Sequence, residues 1–255
     1  MTGKQQVPLY DTERIDDLLT YELKIIQSHE VFCFSMDAVL LARFAQVPKR
    51  GKVLDFCTGN GVIPLLMSTR TPFAEFEGIE LQERLFHMAE RNVIMNGLQE
   101  RITIHHGDVR KAVERFGDNK YDLITCNPPY MPSITGEASK NDHRAIARHE
   151  IHLTLDDVLR VGSRLLKHGG KLALVHRATR LIDIVTGMRM YGIEPKRMRF
   201  VHSRQDSEPN MVLVEGIRGG KPELRIQPPL IVYKQGEEYC DELYEIYYGK
   251  RDSLA

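Results

Sequence analysis

Val53-Leu54-Asp55-Phe56-Cys57-Thr58-Gly59-Asn60-Gly61-Val62-Ile63-Pro64-Leu65-Leu66 passes from a strand-like apolar run, through a polar turn with two glycines, into a helical pattern from Val62 to Ser68. Outward from it, strand-length runs alternate with helical ones. Phe76 to Glu80 predicts a second strand, Gln82 to Asn96 a helix closed by Gly97, Ile102 to His106 a third strand and Tyr121 to Cys126 a fourth. Residues 150–167 place Ile151, Leu155, Val158, Leu159, Leu165 and Leu166 on roughly one helical face, and Gly169-Gly170 is expected to stop that helix before a strand at Leu172 to Val175. A helix from Leu181 to Tyr191, ended by Gly192, precedes two strands at 196–202 and 211–215, read as an antiparallel finish to the sheet. The expected fold is α/β: a mostly parallel, seven-stranded sheet with helices on both faces. The first fifty residues read as a helical start, a polar-apolar stretch through Phe32 and Phe34, and a helix from Asp37 to Phe44 that packs on the sheet. Residues 1–45 are taken as an extension packed on a main domain of 46–255 that ends in a tail.

The fourth strand runs into Asn127-Pro128-Pro129-Tyr130. Two prolines cannot continue a central strand, since each lacks a ladder N–H and fixes φ. The chain leaves the sheet there as a rigid edge. The Asn127 side-chain oxygen and the Pro128 carbonyl are suited to accept hydrogen bonds from the NH2 of a flat substrate, with Tyr130 stacked on its ring. A turn-forming Asn and a half-buried packing Tyr are the plainer accounts. The connection from Met131 to Arg148 is long enough to suggest function or mobility.

Glycines between a strand and a helix allow positive φ and close approach of a ligand to backbone. Pro64 stands where a dinucleotide fingerprint needs its third glycine, so a pyrophosphate cradle is disfavoured. The second strand ends in Glu80, whose carboxylate suits a ribose diol. After the third strand, Asp108 suits the exocyclic amine of an adenine. Each acid alone is commonly surface decoration; three at successive strand ends face one crevice.

Composition bounds the rest. The 255 residues carry 35 basic and 35 acidic side chains, so no global attraction to nucleic acid is expected. Local bias exists: the stretch from Arg177 to Arg204 is basic, and that from Lys234 to Asp252 acidic. Cys33, Cys57, Cys126 and Cys240 lack C-x-x-C or zinc-ligand spacing and are expected to be reduced thiols with no metal. No apolar run is long enough to span a bilayer, and neither end carries a secretory or lipidation signal, so no membrane association and a cytoplasmic location are expected.

Asp55 through Gly61, Glu80, Asp108 and Asn127 through Tyr130 together resemble the motifs of the Rossmann-like, class I S-adenosylmethionine-dependent methyltransferases, in the group with an N-P-P-Y motif. Phe34 to Ala42, Thr58 to Leu66, Ala147 to Glu150 and Pro228 to Tyr233 are similar to the bacterial tRNA1(Val) adenine-37 N6-methyltransferases. This likeness spans about residues 15–248; Phe56-Cys57 departs from the more usual Leu-Gly without removing a ligand. The resemblance implies S-adenosyl-L-methionine as cofactor, held by Phe34, Asp37, Asp55, Thr58, Gly59, Asn60, Gly61, Glu80, Leu81, Asp108, Val109 and Asn127. Helix capping accounts equally well for Asp37. Asn127, Pro128 and Tyr130 would be the catalytic set, and tRNA the partner, with a monomer expected. Lys140, Arg144, Arg148 and His149 would meet phosphates beyond the motif, and Arg177, Arg180 and Arg199, in a tract with Lys196, Arg197 and Arg204, would extend that footprint. Three other readings stay open from the residues: a glutamine-N5 methyltransferase on a release factor, a guanine-N2 methyltransferase on ribosomal RNA, and a non-catalytic RNA-binding protein.

Overall fold

The computed structural model describes residues 6–18, 22–31, 35–128, 153–234 and 236–248. Among them, β3 (Arg50–Phe56), β4 (Phe73–Glu80), β5 (Ile102–His106), β6 (Tyr121–Cys126) and β7 (Leu166–Arg177) run parallel, and β9 (Pro209–Arg218) lies antiparallel between β7 and β8 (Ile193–His202). The sheet order is β10-β8-β9-β7-β6-β3-β4-β5. Two short strands absent from the sequence reading, β10 (Arg225–Ile226) and β11 (Leu230–Ile231), pair with β8. The seven long strands match the expected count; the added pair is too short and proline-flanked for its pattern to register.

Helices cover both faces. On one lie α1 (Met36–Phe44), α2 (Val62–Ser68) and α3 (Glu83–Met95), whose apolar residues share a core with Val53, Leu123, Ala173 and Val175. On the other lie α4 (Ala112–Phe116), α5 (Leu155–Leu165) and α6 (Leu181–Met190), packed with Leu54, Phe56, Ile124, Cys126, Leu172 and Leu174. Successive strand residues thus enter opposite cores, as the strand's period of two requires. A final helix, α7 (Asp241–Tyr248), closes against α1 and β11. The end of α3 is a Schellman turn: Gly97, at φ 68°, donates to the Ile94 carbonyl, and Leu98 to that of Val93.

Two expectations are corrected. The helical start is instead an antiparallel pair, β1 (Glu13–Asp17) and β2 (Lys24–Ser28). Ile25 and Ile26 are consecutive and both fully buried, one in the large core and the other against Leu85, Met88 and Met95, which only an extended segment sandwiched between layers allows. Gly169-Gly170 do not separate helix from strand, because β7 begins at Leu166, directly after α5, and runs through them. Its pairing with β6 shifts register between Tyr121 and Leu123, and a Cβ on Gly170 would lie 2.9 Å from the Lys167 carbonyl oxygen and 3.0 Å from that of Tyr121. The glycines make an irregularity within the strand.

The chain builds outward from β3 to β4 and β5, then returns to lay β6 on the other side of β3. Such a reversal opens a crevice at the carboxyl ends of β3 and β6.

Candidate active site at the carboxyl edge of the sheet

Phe56 pairs with Cys126, so Cys57 and Asn127 leave neighbouring strands side by side at the crevice. The loop after β3 is tightly wound. Cys57, Gly59 and Gly61 all have positive φ, at 54°, 57° and 84°. A Cβ on Gly59 would meet nothing within 4 Å, so that position is open space and needs glycine for its backbone. At Gly61, the N-cap of α2, a Cβ would come 3.3 Å from that of Ala89, which lets α2 and α3 approach.

Asp55 is fully buried. The Thr125 hydroxyl donates to its Oδ1 at 2.6 Å. Loss of water pushes the carboxyl up to about 7, and the charge of Glu80 adds to the rise, while the Thr125 hydrogen bond opposes it. Neither Asp55 Oδ2 nor the Thr58 hydroxyl has a hydrogen-bond partner among the described residues. Glu80 is buried too. Gly59 N–H donates to its Oε2 at 2.8 Å and Gln82 N–H to its Oε1 at 2.9 Å; burial raises its pKa against those backbone donors. Asp108 caps the turn at Val109–Lys111 and receives the Arg110 guanidinium, whose hydrogen bonds hold its carboxyl below the ordinary range. Val109 is buried, and Leu81 is exposed with its carbonyl accepting from His106 Nε2 at 2.8 Å. Pro128 is buried, and Asn127 Oδ1 is enclosed with no partner among the described residues.

The structure therefore gathers Asp55, Thr58, Gly59, Gly61, Glu80, Asp108, Val109 and Asn127 along the ends of β3 to β6. Asn60 is at the same loop, but its amide donates to the Ile26 carbonyl at 3.2 Å, tying the loop to β2. Asp37 receives the Ser35 hydroxyl and the Ala38 N–H, a local turn at the start of α1. Phe34, Tyr130, Lys140, Arg144, Arg148, His149 and the Met131–Arg148 connection lie outside the described residues. Arg177 and Arg180 are exposed at the end of β7, Arg180 pairing with Asp183 at 2.6 Å. Arg199 is differently employed: two nitrogens grip the Glu242 carboxylate at 2.6 and 2.7 Å, and its Nε donates to the Pro228 carbonyl.

Sequence reasoning missed three residues. Gly78 on β4 makes room for Thr58, whose side chain would lie 2.8 Å from a Cβ there. Thr125 is an unremarkable strand residue until register sets it opposite Asp55. His176 is two places beyond Leu174, the partner of Cys126. It is buried, accepts the Arg177 N–H on Nδ1 at 2.8 Å, and has its pKa lowered to about 4 by desolvation and then by Arg180 and Arg177, against Asp183.

This donor set fits S-adenosylmethionine. Three enclosed oxygens, Asp55 Oδ2, Thr58 Oγ1 and Asn127 Oδ1, have no partner among the described residues, and glycine keeps the loop open beside them, so polar groups of a ligand can be met there. Among the described residues no group of three or more His, Cys, Asp or Glu is placed to hold a metal, and no helix is long and apolar enough to cross a membrane. Cys57, Cys126 and Cys240 are free thiols.

Residues 22–185 match the family described as "Methyltransferase small domain". The chain is 29% identical over 212 residues to the tRNA1(Val) (adenine(37)-N6)-methyltransferase of Aeromonas hydrophila, covering 82% of this chain and 86% of that protein. It is 31% identical over 185 residues to the protein of the same name from Porphyromonas gingivalis, covering 70% and 72%. Among solved structures, a predicted O-methyltransferase from Agrobacterium tumefaciens superposes with a TM-score of 0.67 at 22% identity, over 85% of this chain and 100% of that one, a likeness of fold.

Proposed function

The chain belongs to the tRNA1(Val) (adenine(37)-N6)-methyltransferase family, and from that premise we propose that it transfers a methyl group from S-adenosylmethionine to the N6 amine of an adenosine in tRNA, beside the anticodon of tRNA(Val). The observation that carries the chemistry is Asn127 Oδ1, enclosed and without a partner among the described residues, directly after the strand that pairs with that of Asp55.

When bound, S-adenosylmethionine supplies an electrophilic methyl group on a sulfonium, already a good leaving group. Glu80 is assigned the ribose diol and Asp108 the adenine amine; Asp55, Thr58 and the loop from Gly59 to Gly61 hold the remainder. The nitrogen of an adenine amine is a poor nucleophile because its lone pair is shared with the ring. Asn127 Oδ1 and the Pro128 carbonyl accept its two N–H bonds, which orients the nitrogen and favours pyramidal geometry. Rate then comes from alignment and fixed dipoles, with no strong base needed before attack. Tyr130 is assigned the stacking contact, worth about 1–3 kcal/mol, and Lys140, Arg144, Arg148, His149, Arg177 and Arg180 the phosphates. An anticodon-loop base turns outward at low cost. We place the reaction in the cytoplasm, carried out by a monomer whose residues 1–45 extend a main domain of 46–255.

The test is transfer of a radiolabelled methyl group into unmodified total tRNA by wild type and Asn127→Ala, with products mapped by nucleoside mass spectrometry. N6-methyladenosine formed by wild type alone is expected. Label appearing instead in ribosomal RNA or a release factor overturns the substrate assignment.

A further inference from the structure

Asn92 on α3 and Asn96, which caps its carboxyl end, stand one turn apart, and their amides treat β2 as a neighbouring strand would. Asn96 Oδ1 receives the Lys24 N–H at 2.9 Å and its Nδ2 donates to the Lys24 carbonyl at 2.7 Å. Asn92 Oδ1 receives the Ile26 N–H at 2.7 Å. The spacing matches: four helical residues rise about 6.0 Å, and two strand residues about 6.6–6.8 Å. Asn96 Nδ2 also donates to the Asn92 carbonyl at 2.7 Å, whereas Asn92 reaches beyond β2. Its Nδ2 donates at 2.9 Å to the backbone carbonyl of Asn60, in the glycine loop, and Asn60 in turn donates its own amide to the Ile26 carbonyl. Asn92 is fully buried and Asn60 nearly so. One side chain, shielded from water, is thus divided between β2 and the loop. Next to it, Gly59 is fastened to Glu80.

We infer that Asn92 is a positioning residue for the cofactor loop, and that its shared amide couples seating of the β1–β2 pair to cofactor binding; this rests on the assignment of the loop to S-adenosylmethionine. Asn96 holds the same strand without touching the loop, so it separates the two roles. Replacing a buried partner leaves its bonding groups unsatisfied.

The probe is S-adenosylhomocysteine, titrated calorimetrically into the full chain as wild type, Asn92→Ala and Asn96→Ala. Loss of one such shared amide is expected to weaken binding about tenfold in Asn92→Ala, with a change under about twofold in Asn96→Ala, whose lost bonds lie outside the loop. Limited proteolysis of the β1–β2 region is expected to quicken in both. In steady state the Asn92 variant raises the KM for cofactor and leaves that for tRNA unchanged, whereas simple destabilisation lowers kcat through lost active protein. If Asn92→Ala fails to fold, hydrogen exchange on wild type decides: saturating S-adenosylhomocysteine should slow the Ile26 amide more than that of Lys24. Equal affinity in all three proteins, or an Ile26 amide indifferent to ligand, overturns the inference. Wild type that binds no S-adenosylhomocysteine overturns the cofactor assignment itself.

Discussion

Asp55 and His176 are buried titratable groups whose effects on stability run in opposite directions. The Asp55 carboxyl, at about 7 when folded against 3.8 as a free side chain, keeps a proton that the unfolded chain has lost between those values. Stability therefore falls as pH rises from about 4 to about 7, by at most about 1.4 kcal/mol per unit. His176, at about 4 against 6.5, refuses a proton that the unfolded chain accepts, so its contribution is lost as pH falls from 6.5 towards 4. Urea unfolding of Asp55→Asn and His176→Asn across pH 4–8 should each remove one slope; parallel profiles for all three proteins would refute both assignments. Cys57 lies two residues after Asp55, with φ 54°. A non-glycine residue there costs about 1–2 kcal/mol, partly offset by the greater unfolded freedom of glycine, about 0.5–1 kcal/mol. Cys57→Gly is accordingly expected to hold or raise the melting temperature, and Cys57→Val to lower it. Neither the strain nor the proton affinities were visible in the residue string: the strain comes from the winding of the loop, and both shifts come first from burial, with the charge of Glu80 adding to it at Asp55 and that of Arg180 at His176.

At the scale of elements, legibility followed burial. The inner strands β3 and β6 end in runs of buried residues, and β6 was expected with its observed ends, as were β5 and α2. β2 escaped because its edge partners are side chains from α3, 66 and 72 residues away, which no local pattern encodes. The irregular start of β7 escaped because paired glycines ordinarily mark an end. Gly78 shows how an element serves the site: it lets β4 pass beneath Thr58. Gly78→Ala is expected to lose about 1–3 kcal/mol by overpacking, and Thr58→Ala in the same chain to recover most of it. Thermal denaturation of the single and double variants checks this; equal losses in both would show that Thr58 is not the obstacle.

Across the whole molecule, Asp55, Glu80 and Asp108 stand at or just past strand ends, as the sequence placed them, whereas the basic tract was only partly legible. Composition grouped Arg177, Arg180 and Arg199 together, but the fold sends them to different tasks. Arg199 and Glu242 clip α7 to β8, Arg43 donates to the Ile246 carbonyl, and Tyr239 stacks between Tyr233 and Tyr247 at 5.5 and 6.0 Å, so the tail is fastened to α1 and the sheet edge. Arg199→Ala is expected to leave tRNA affinity within about twofold while costing up to about 1 kcal/mol of stability. Arg177→Ala and Arg180→Ala should each weaken binding across sequences and reduce the slope of log K against log salt by about one. Filter binding at several salt concentrations distinguishes them, and an unchanged slope in the latter pair would remove them from the footprint.

The adjacency of β3 and β6 has an evolutionary consequence. Asp55 lies on β3 and Asn127 directly follows β6, its hydrogen-bonded neighbour, so the gap between the two strands is the pitch of a β-ladder, about 4.8 Å, fixed by backbone chemistry common to all sequences. Whatever segment follows Pro128 can be lengthened, recharged or exchanged without disturbing that interval. A lineage that rewrites the sequence after Pro128 therefore inherits the spacing of the two strands unaltered.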